Sequence, residues 1–239
     1  MTTFVLVHGA WGGSHGFRWV RPLLHAVGHE VFTPSLTGIG ERSHLTSPSV
    51  GLSTHVQDVV NMVQYEDLSD IVLLGFSYGG MVVTGALDHI GDRVRHLVFL
   101  DAIVPGDGMS VADIAGGLVP ADDSSASIDP GVSWLIAPRP RQLDDADLMA
   151  WSEARRSMQP ARTFSEPVSL SKPLVEWPFP LTYIKATDDP AEEPDSMFWK
   201  MARIAESSEH WSYREIATNH LVPMTRPQEF VAILLALSV

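Results

Sequence analysis

The stretch IVLLGFSYGGM, residues 71–81, largely decides the fold that this sequence predicts. Its first four residues form a short apolar run of the kind found in strands buried on both faces. Ser77 follows in a G-x-S-x-G pattern, and a helical sequence then runs from Tyr78 to Ile90 and is ended by Gly91. On so tight a turn a serine is held away from its own backbone, while the glycines let strand and helix approach each other. Ser77 is therefore the candidate nucleophile, and an idle serine on a glycine-rich turn is the alternative.

Similar apolar runs recur on both sides of this stretch, at residues 4–7, 31–32, 97–100, 181–184 and 213–216. Helical patterns lie between them. The clearest has valines at positions 56, 59, 60 and 63, and others are expected over 17–26 and 228–237. This alternation predicts βαβ units and an α/β fold with a doubly wound, mostly parallel sheet. The whole chain, residues 1–239, is predicted to be one domain.

Residues 102–180 interrupt this alternation of strands and helices. No strand of comparable strength is visible there, whereas ten of the 17 prolines fall within this segment. A helix over residues 143–158 fits the pattern of apolar positions, with aspartates near its start. We interpret the segment as a helical lid inserted after the sixth strand of the fold. The alternative is a linker between two domains, but the strand pattern that resumes at Leu181 is too brief to build a second core.

Composition excludes several functional classes. The net charge of −13 disfavours nucleic acid and anionic membrane surfaces as partners. The absence of cysteine excludes disulfides, thiolate metal sites and a cysteine nucleophile. The histidines do not occur in H-x-H or H-E-x-x-H spacing, so no metal site is expected. The N-terminus lacks a basic, signal-like segment and no apolar stretch approaches the length of a membrane span, which predicts a cytoplasmic protein.

The loop after the first strand reads HGAWGG, residues 8–13. Its backbone N–H groups could face the nucleophile, so the amides of Ala10 and Tyr78 are the candidate oxyanion hole. His8 is expected to be a structural residue that makes hydrogen bonds at the end of the strand. A dinucleotide site is rejected because the glycines do not spell G-x-G-x-x-G and no acidic residue closes the second strand.

The catalytic base is expected late in the chain, since serine, acid and histidine follow in that order in folds of this type. His220 comes after the last strand-like run and before the C-terminal helix. Three carboxylates remain candidates for orienting it. Asp188 and Asp189 follow the run that begins at Leu181, and Asp101 ends the run 97–100. Asp189 is preferred.

Four blocks of sequence resemble one branch of the α/β-hydrolase fold family. They are FVLVHGAWGG at residues 4–13, GFSYGGM at 75–81, YIKATDD at 183–189 and NH at 219–220. The branch contains plant methyl-ketone and methyl-salicylate esterases, plant hydroxynitrile lyases and bacterial pyrethroid-type esterases. The resemblance implies Ser77, Asp189 and His220 as a catalytic triad. Trp199, ten residues after Asp189, stands where a tryptophan tends to stand in the plant relatives.

The departures from this branch concern the lyase reaction. Plant hydroxynitrile lyases have a lysine after the histidine and a threonine in the first loop, where this chain has Leu221 and Gly9. The sequence therefore favours ester hydrolysis, without a cofactor, of a small apolar or aromatic substrate. A lyase, a C–C hydrolase or a cyclase is the alternative, and a binding protein without turnover is a third. The predicted substrate contacts are Trp11, Trp134 and Trp151, with Trp177 as a further wall, and a homodimer is possible.

Overall fold

The computed structural model describes residues 1–116, 134–141 and 143–237. Its main sheet has six strands in the spatial order β2-β1-β3-β4-β7-β8, and every neighbouring pair is parallel. A second sheet pairs β5 and β6 in antiparallel fashion. The strands are β1 (Thr3–Val7), β2 (Glu30–Phe32), β3 (Ile71–Phe76), β4 (Val94–Leu100), β5 (Leu135–Ile136), β6 (Gln159–Pro160), β7 (Leu181–Ala186) and β8 (Trp211–Ile216).

Helices cover both faces of the six-stranded sheet. Helices α1 and α9 contact each other and share one core cluster, while α2, α3 and α7 contribute to the other. The α-helices are α1 (Val20–Ala26), α2 (Leu52–Tyr65), α3 (Gly79–Ile90), α4 (Val111–Ile114), α5 (Ala146–Glu153), α6 (Arg162–Ser165), α7 (Met197–Ser207), α8 (Val222–Thr225) and α9 (Pro227–Ala236). Within the described part of the chain, none of these helices is long and apolar enough to cross a bilayer.

The two faces follow from alternation along each strand. In β1, Phe4 and Leu6 join the cluster with α1 and α9, whereas Val5 and Val7 join the opposite cluster. Because both faces are covered, the strands read as continuous apolar runs and not as alternating ones. The predicted doubly wound, parallel α/β architecture is confirmed.

The insertion, defined as residues 102–180, follows β4 and precedes β7. Four strands of the main sheet precede it, so the prediction that it follows the sixth strand is wrong for this chain. A helix is present within the predicted range 143–158, but it is shorter than predicted. Helix α5 begins after Asp145, which caps it, and ends at Glu153. Residues 117–133 and 142 of the insertion lie outside the described residues.

The carboxyl ends of the parallel strands meet at one edge of the sheet. Three residues at these ends have a left-handed backbone that non-glycine residues rarely adopt: Trp11 after β1, Ser77 after β3 and Asp101 after β4, with φ of 59°, 56° and 40°. Such strain persists only where the surroundings enforce it, and it concentrates at functional sites.

Candidate active site

Ser77 occupies the turn between β3 and α3. Its amide donates to the carbonyl of Leu100 at 3.1 Å, and its carbonyl accepts from Ile103 at 3.0 Å, so the turn is tied to the end of β4. A Cβ at Gly75 would lie 2.6 Å from the carbonyl oxygen of Gly79, which explains the requirement for a glycine there. The left-handed backbone and the close packing together present a half-buried serine above the sheet.

The loop after β1 passes directly over this serine. A Cβ at Gly9 would lie 2.8 Å from the Cβ and 3.3 Å from the Oγ of Ser77, so only glycine fits without displacing the nucleophile. Among the hydrogen bonds of the described residues, none uses the amide of Ala10 or of Tyr78 as donor. These two amides are the ones that the sequence assigned to an oxyanion hole.

His220 follows β8, and its imidazole binds Asp101. Its Nδ1 lies 2.6 Å from Asp101 Oδ2, and both side chains are buried. The rings of Phe76 and Phe198 flank the imidazole at centroid distances of 4.9 and 5.1 Å. The ring is thereby fixed by a carboxylate at one nitrogen and by two aromatic side chains.

Asp189, the carboxylate preferred from the sequence, does not reach the imidazole. Its Oδ2 accepts a hydrogen bond from the backbone amide of His220 at 3.1 Å, and its Oδ1 accepts from the amide of Ala191 at 3.0 Å. Asp189 therefore fixes the backbone of the loop that carries His220, and it does not bind the imidazole ring. The third candidate, Asp188, donates through its backbone amide to the carbonyl of Thr218 at 3.0 Å. The placement of Asp189 at the ring is therefore corrected to Asp101.

A buried lysine completes the surroundings of Asp101. The ammonium of Lys185, on β7, lies 2.8 Å from Asp101 Oδ1 and 2.6 Å from Glu192 Oε2, and its side chain is fully buried. The ring of Trp199 lies 4.6 Å from the same ammonium. Sequence analysis missed Lys185. The signal was a lysine inside the apolar run 181–186, since a charge in a buried strand requires a partner.

These contacts set the protonation states. Burial works to raise the pKa of Asp101, but its hydrogen bond to His220 and the charge of Lys185 outweigh burial and hold the pKa below its usual value. Burial, and after it the charge of Arg141, lower the pKa of His220, while Asp101 acts in the opposite direction. At neutral pH the pair is therefore an ionised carboxylate and a neutral imidazole, which is able to accept a proton.

Ser77 and His220 line the same cavity, whose volume is about 60 Å³. Trp11, one of the expected substrate contacts, lines it too, and its indole N–H donates to the carbonyl of Ile136 in the insertion at 3.1 Å. The further lining side chains larger than alanine are apolar or basic, apart from Ser152: Phe17, Phe76, Leu221, Pro223 and Met224, and Arg141, Arg156, His8 and His15. Within the described chain, no group of three or more potential ligand side chains is placed to hold a metal ion.

The other predicted tryptophans lie elsewhere among the described residues. The side chain of Trp151 packs against Trp19, at a centroid distance of 4.7 Å, and does not line the cavity. Trp134 is half-buried outside the cavity lining, and its carbonyl accepts a hydrogen bond from Ala161. Trp177 stacks on Phe179. The apolar walls come instead from residues beside the strand ends.

Two buried histidines support the loops around the nucleophile. His8 accepts a hydrogen bond at Nε2 from the amide of Leu36, while its Nδ1 lies 2.9 Å from the carbonyl of Gly9. His55 Nε2 lies 2.8 Å from the carbonyl oxygen of Thr37 and must donate its proton there. His55 Nδ1, which lies 3.0 Å from the hydroxyl oxygen of Tyr78, is therefore an acceptor. Each ring uses one nitrogen as donor and one as acceptor, which only the neutral form permits. The structural role predicted for His8 is confirmed.

These histidines predict a loss of stability in mild acid. Burial lowers the pKa of both His8 and His55 from 6.5 to about 4. Below about pH 6.5 the unfolded chain therefore binds protons that the native chain excludes, and stability falls as the pH is lowered toward 4. Near pH 5.5 each histidine should contribute a slope of about 1 kcal/mol per pH unit.

Urea unfolding at several pH values between 4.5 and 7 measures this slope. His55→Gln should reduce it by one histidine's share, whereas His89→Gln, at an exposed position on α3, should leave it unchanged. Equal slopes in wild type and His55→Gln, in folded proteins, would contradict the assignment of a neutral buried imidazole.

Comparison with known proteins agrees with the fold and identifies the family. The profile of the alpha/beta hydrolase family matches residues 4–233, and the chain belongs to that family. A carbendazim-hydrolysing esterase from Nocardioides sp. (strain SG-4G) is 39% identical over 181 residues, which cover 72% of this chain and 74% of the relative. The chain is thus a hydrolase of a family whose named members include enzymes that cleave esters.

Two further relatives match along nearly the whole chain. An alpha-hydroxynitrile lyase from Arabidopsis thaliana is 23% identical, with 95% of this chain and 93% of that protein covered. The structure of an extracellular alpha/beta-hydrolase from a Paenibacillus species superposes with a TM-score of 0.84 at 24% identity, covering 99% of this chain and 98% of the other. The second match supports the fold alone.

Proposed function

We propose that this protein is a serine esterase that cleaves a carboxylic ester of a small, mainly apolar or aromatic substrate through an acyl-enzyme. One observation carries the proposal. Ser77, on its strained turn, lines the same cavity as His220, and the Nδ1 of His220 binds the buried carboxylate of Asp101. A nucleophile, a base and an acid that orients the base are the components that acyl transfer by a serine requires.

Each group then has one task. Ser77 Oγ attacks the carbonyl carbon, and His220 Nε2 takes the serine proton and returns it to the departing alcohol. Asp101 keeps the other proton on Nδ1 and stabilises the imidazolium that forms. The amides of Ala10 and Tyr78 donate hydrogen bonds to the oxyanion. Water, activated by the same imidazole, finally releases the acid and regenerates Ser77.

The surroundings of the site support an ester in preference to a cyanohydrin. Leu221 lines the cavity directly after His220, where the resemblance to the lyases would require a lysine. Gly9 stands where they have threonine, and a side chain there would collide with Ser77. The carbendazim-hydrolysing relative, which shares more sequence than the lyase, also favours hydrolysis.

Covalent labelling tests the proposal. An aryl phosphonate that mimics the tetrahedral intermediate should inactivate the enzyme with one label per chain, and peptide mapping should place the label on Ser77. Hydrolysis of 4-nitrophenyl butyrate should be lost in parallel and should be insensitive to a chelator. The control is Ser69→Ala, at an exposed position before β3, which should be labelled as wild type is. A label on another residue, or full activity after complete labelling, would refute the proposal.

A further inference from the structure

The cavity at Ser77 is lined by two arginines, although the protein carries a net charge of −13. Arg141 and Arg156 line it, the lining histidines His8 and His220 are neutral, and no aspartate or glutamate is among the lining residues that the structure describes. Basic groups are the minority in this chain, with 16 lysines and arginines against 29 acidic residues. A cleft whose charge is opposite to that of its surroundings concentrates ligands of the matching sign.

The two arginines differ in their pairing. Arg156 lies 2.7 Å from Glu153, which neutralises it, and its side chain is only 9% exposed. Arg141 forms no salt bridge with any carboxylate of the described residues. Burial, and after it the neighbouring charge of Arg156, lower the pKa of Arg141. A guanidinium that has lost hydration and forms no ion pair with a described carboxylate has much to gain from an anion, although the charges of Asp189 and Asp101 act on it from a distance.

We propose that Arg141 binds an anionic group of the substrate, a carboxylate in the simplest case, while the ester carbonyl lies at Ser77. The inference rests on the proposed esterase function and narrows its substrate to esters that carry a negative charge on the acyl or on the alcohol part. The apolar residues of the same cavity, among them Trp11 and Phe76, contact the carbon skeleton between the two groups.

The geometry of a guanidinium suits this task. It presents paired N–H donors that match the two oxygens of a carboxylate, and charge-assisted hydrogen bonds of this kind are about twice as strong as neutral ones. Hydrogen bonds to charged groups contribute about 1.5–3 kcal/mol, and this contribution is lost when the guanidinium is removed. That loss corresponds to about 10- to 150-fold in kcat/KM for the anionic ester.

Two matched pairs of esters test the proposal and locate the charge. For the acyl part, mono-4-nitrophenyl adipate is compared with 4-nitrophenyl hexanoate. For the alcohol part, 4-carboxyphenyl butyrate is compared with 4-carbamoylphenyl butyrate. Because the charge of Arg141 also acts on the pKa of His220, the neutral ester measures that common effect: Arg141→Met should lower kcat/KM for the anionic member of at least one pair by 10-fold or more beyond any loss on its neutral partner. Arg139→Met, at an exposed position two residues away, should behave as wild type does on all four esters.

Binding to Ser77→Ala separates this inference from the esterase proposal. Calorimetry with the four esters should show that the anionic ester binds more tightly than its neutral partner, and that adding Arg141→Met removes the difference. If wild type cleaves none of the esters while this binding difference is present, the esterase proposal fails and the anion site stands. Equal losses on charged and neutral esters, or no preference for the anion in binding, would overturn the assignment of Arg141.

Discussion

Replacing Ser77 by alanine is expected to lower kcat for an activated ester by roughly 10⁶-fold. Nucleophile and base act as a unit, so removing the nucleophile costs about as much as removing the whole triad. What remains should be the smaller acceleration over water that substrate binding and the amides of Ala10 and Tyr78 provide. The measurement is single-turnover hydrolysis of 4-nitrophenyl butyrate, with protein purified separately from wild type.

A folding defect must be separated from the chemical defect, because residue 77 has a φ of 56°. Alanine is strained there as serine is, whereas glycine adopts this backbone without steric strain. Ser77→Gly should therefore be as inactive as Ser77→Ala while unfolding at a urea concentration no lower than that of the alanine variant. Activity within about tenfold of wild type in either folded variant would show that another group is the nucleophile.

Much of the site was predictable because it depends on local sequence. The turn at Ser77 needs a strand, two glycines and a helix start, all of which are contiguous in residues 71–81. The loop at Ala10 is predicted in the same way, because it directly follows the first strand. His220 is predicted from its position between the last strand and the C-terminal helix. Parallel strands bring these ends to one edge of the sheet, whatever their separation in sequence.

The orienting acid was not predictable by the same reasoning. Asp101 and Asp189 follow neighbouring strands, β4 and β7, and both lie at the edge where His220 stands. The choice between them depends on side-chain direction, which follows from the left-handed backbone at Asp101 and from the ammonium of Lys185 beneath its carboxylate. Neither feature is encoded by spacing, since both arise from contacts across the sheet.

The cavity walls were difficult to predict for a similar reason. Trp134 and Trp151 are as apolar as Trp11, but their positions depend on how the insertion folds over the strand ends. Trp11 is held there by hydrogen bonds to Ile136 and Gln159 in the insertion. Arg141 was overlooked because a lone arginine in a proline-rich segment has no pattern that distinguishes a cavity residue from a solvated one.

Asp101→Asn is expected to lower kcat by about 10⁴-fold, and Asp189→Asn by less than tenfold. An asparagine at position 101 preserves the shape of the side chain but favours the wrong imidazole tautomer and removes the charge that stabilises the imidazolium. In the described part of the chain, the side-chain hydrogen bonds of Asp189 are to the backbone amides of His220 and Ala191, and the carbonyl of an asparagine can still accept one of them. The ranking of the two variants on 4-nitrophenyl butyrate decides which carboxylate serves the base.

The buried lysine complicates this comparison and also provides its control. Asp101→Asn removes one of the two carboxylates that pair with Lys185 and leaves Glu192 as the remaining carboxylate beside the ammonium. Loss of one partner of a buried ion pair destabilises a protein by about 3–5 kcal/mol, so a fall in activity could reflect unfolding. The double variant Asp101→Asn, Lys185→Met removes the ammonium together with its lost partner and should recover part of this stability. It should not recover activity, because the imidazole still lacks its carboxylate. Recovery of activity along with stability, or a greater loss in Asp189→Asn than in Asp101→Asn, would return the role of the acid to Asp189.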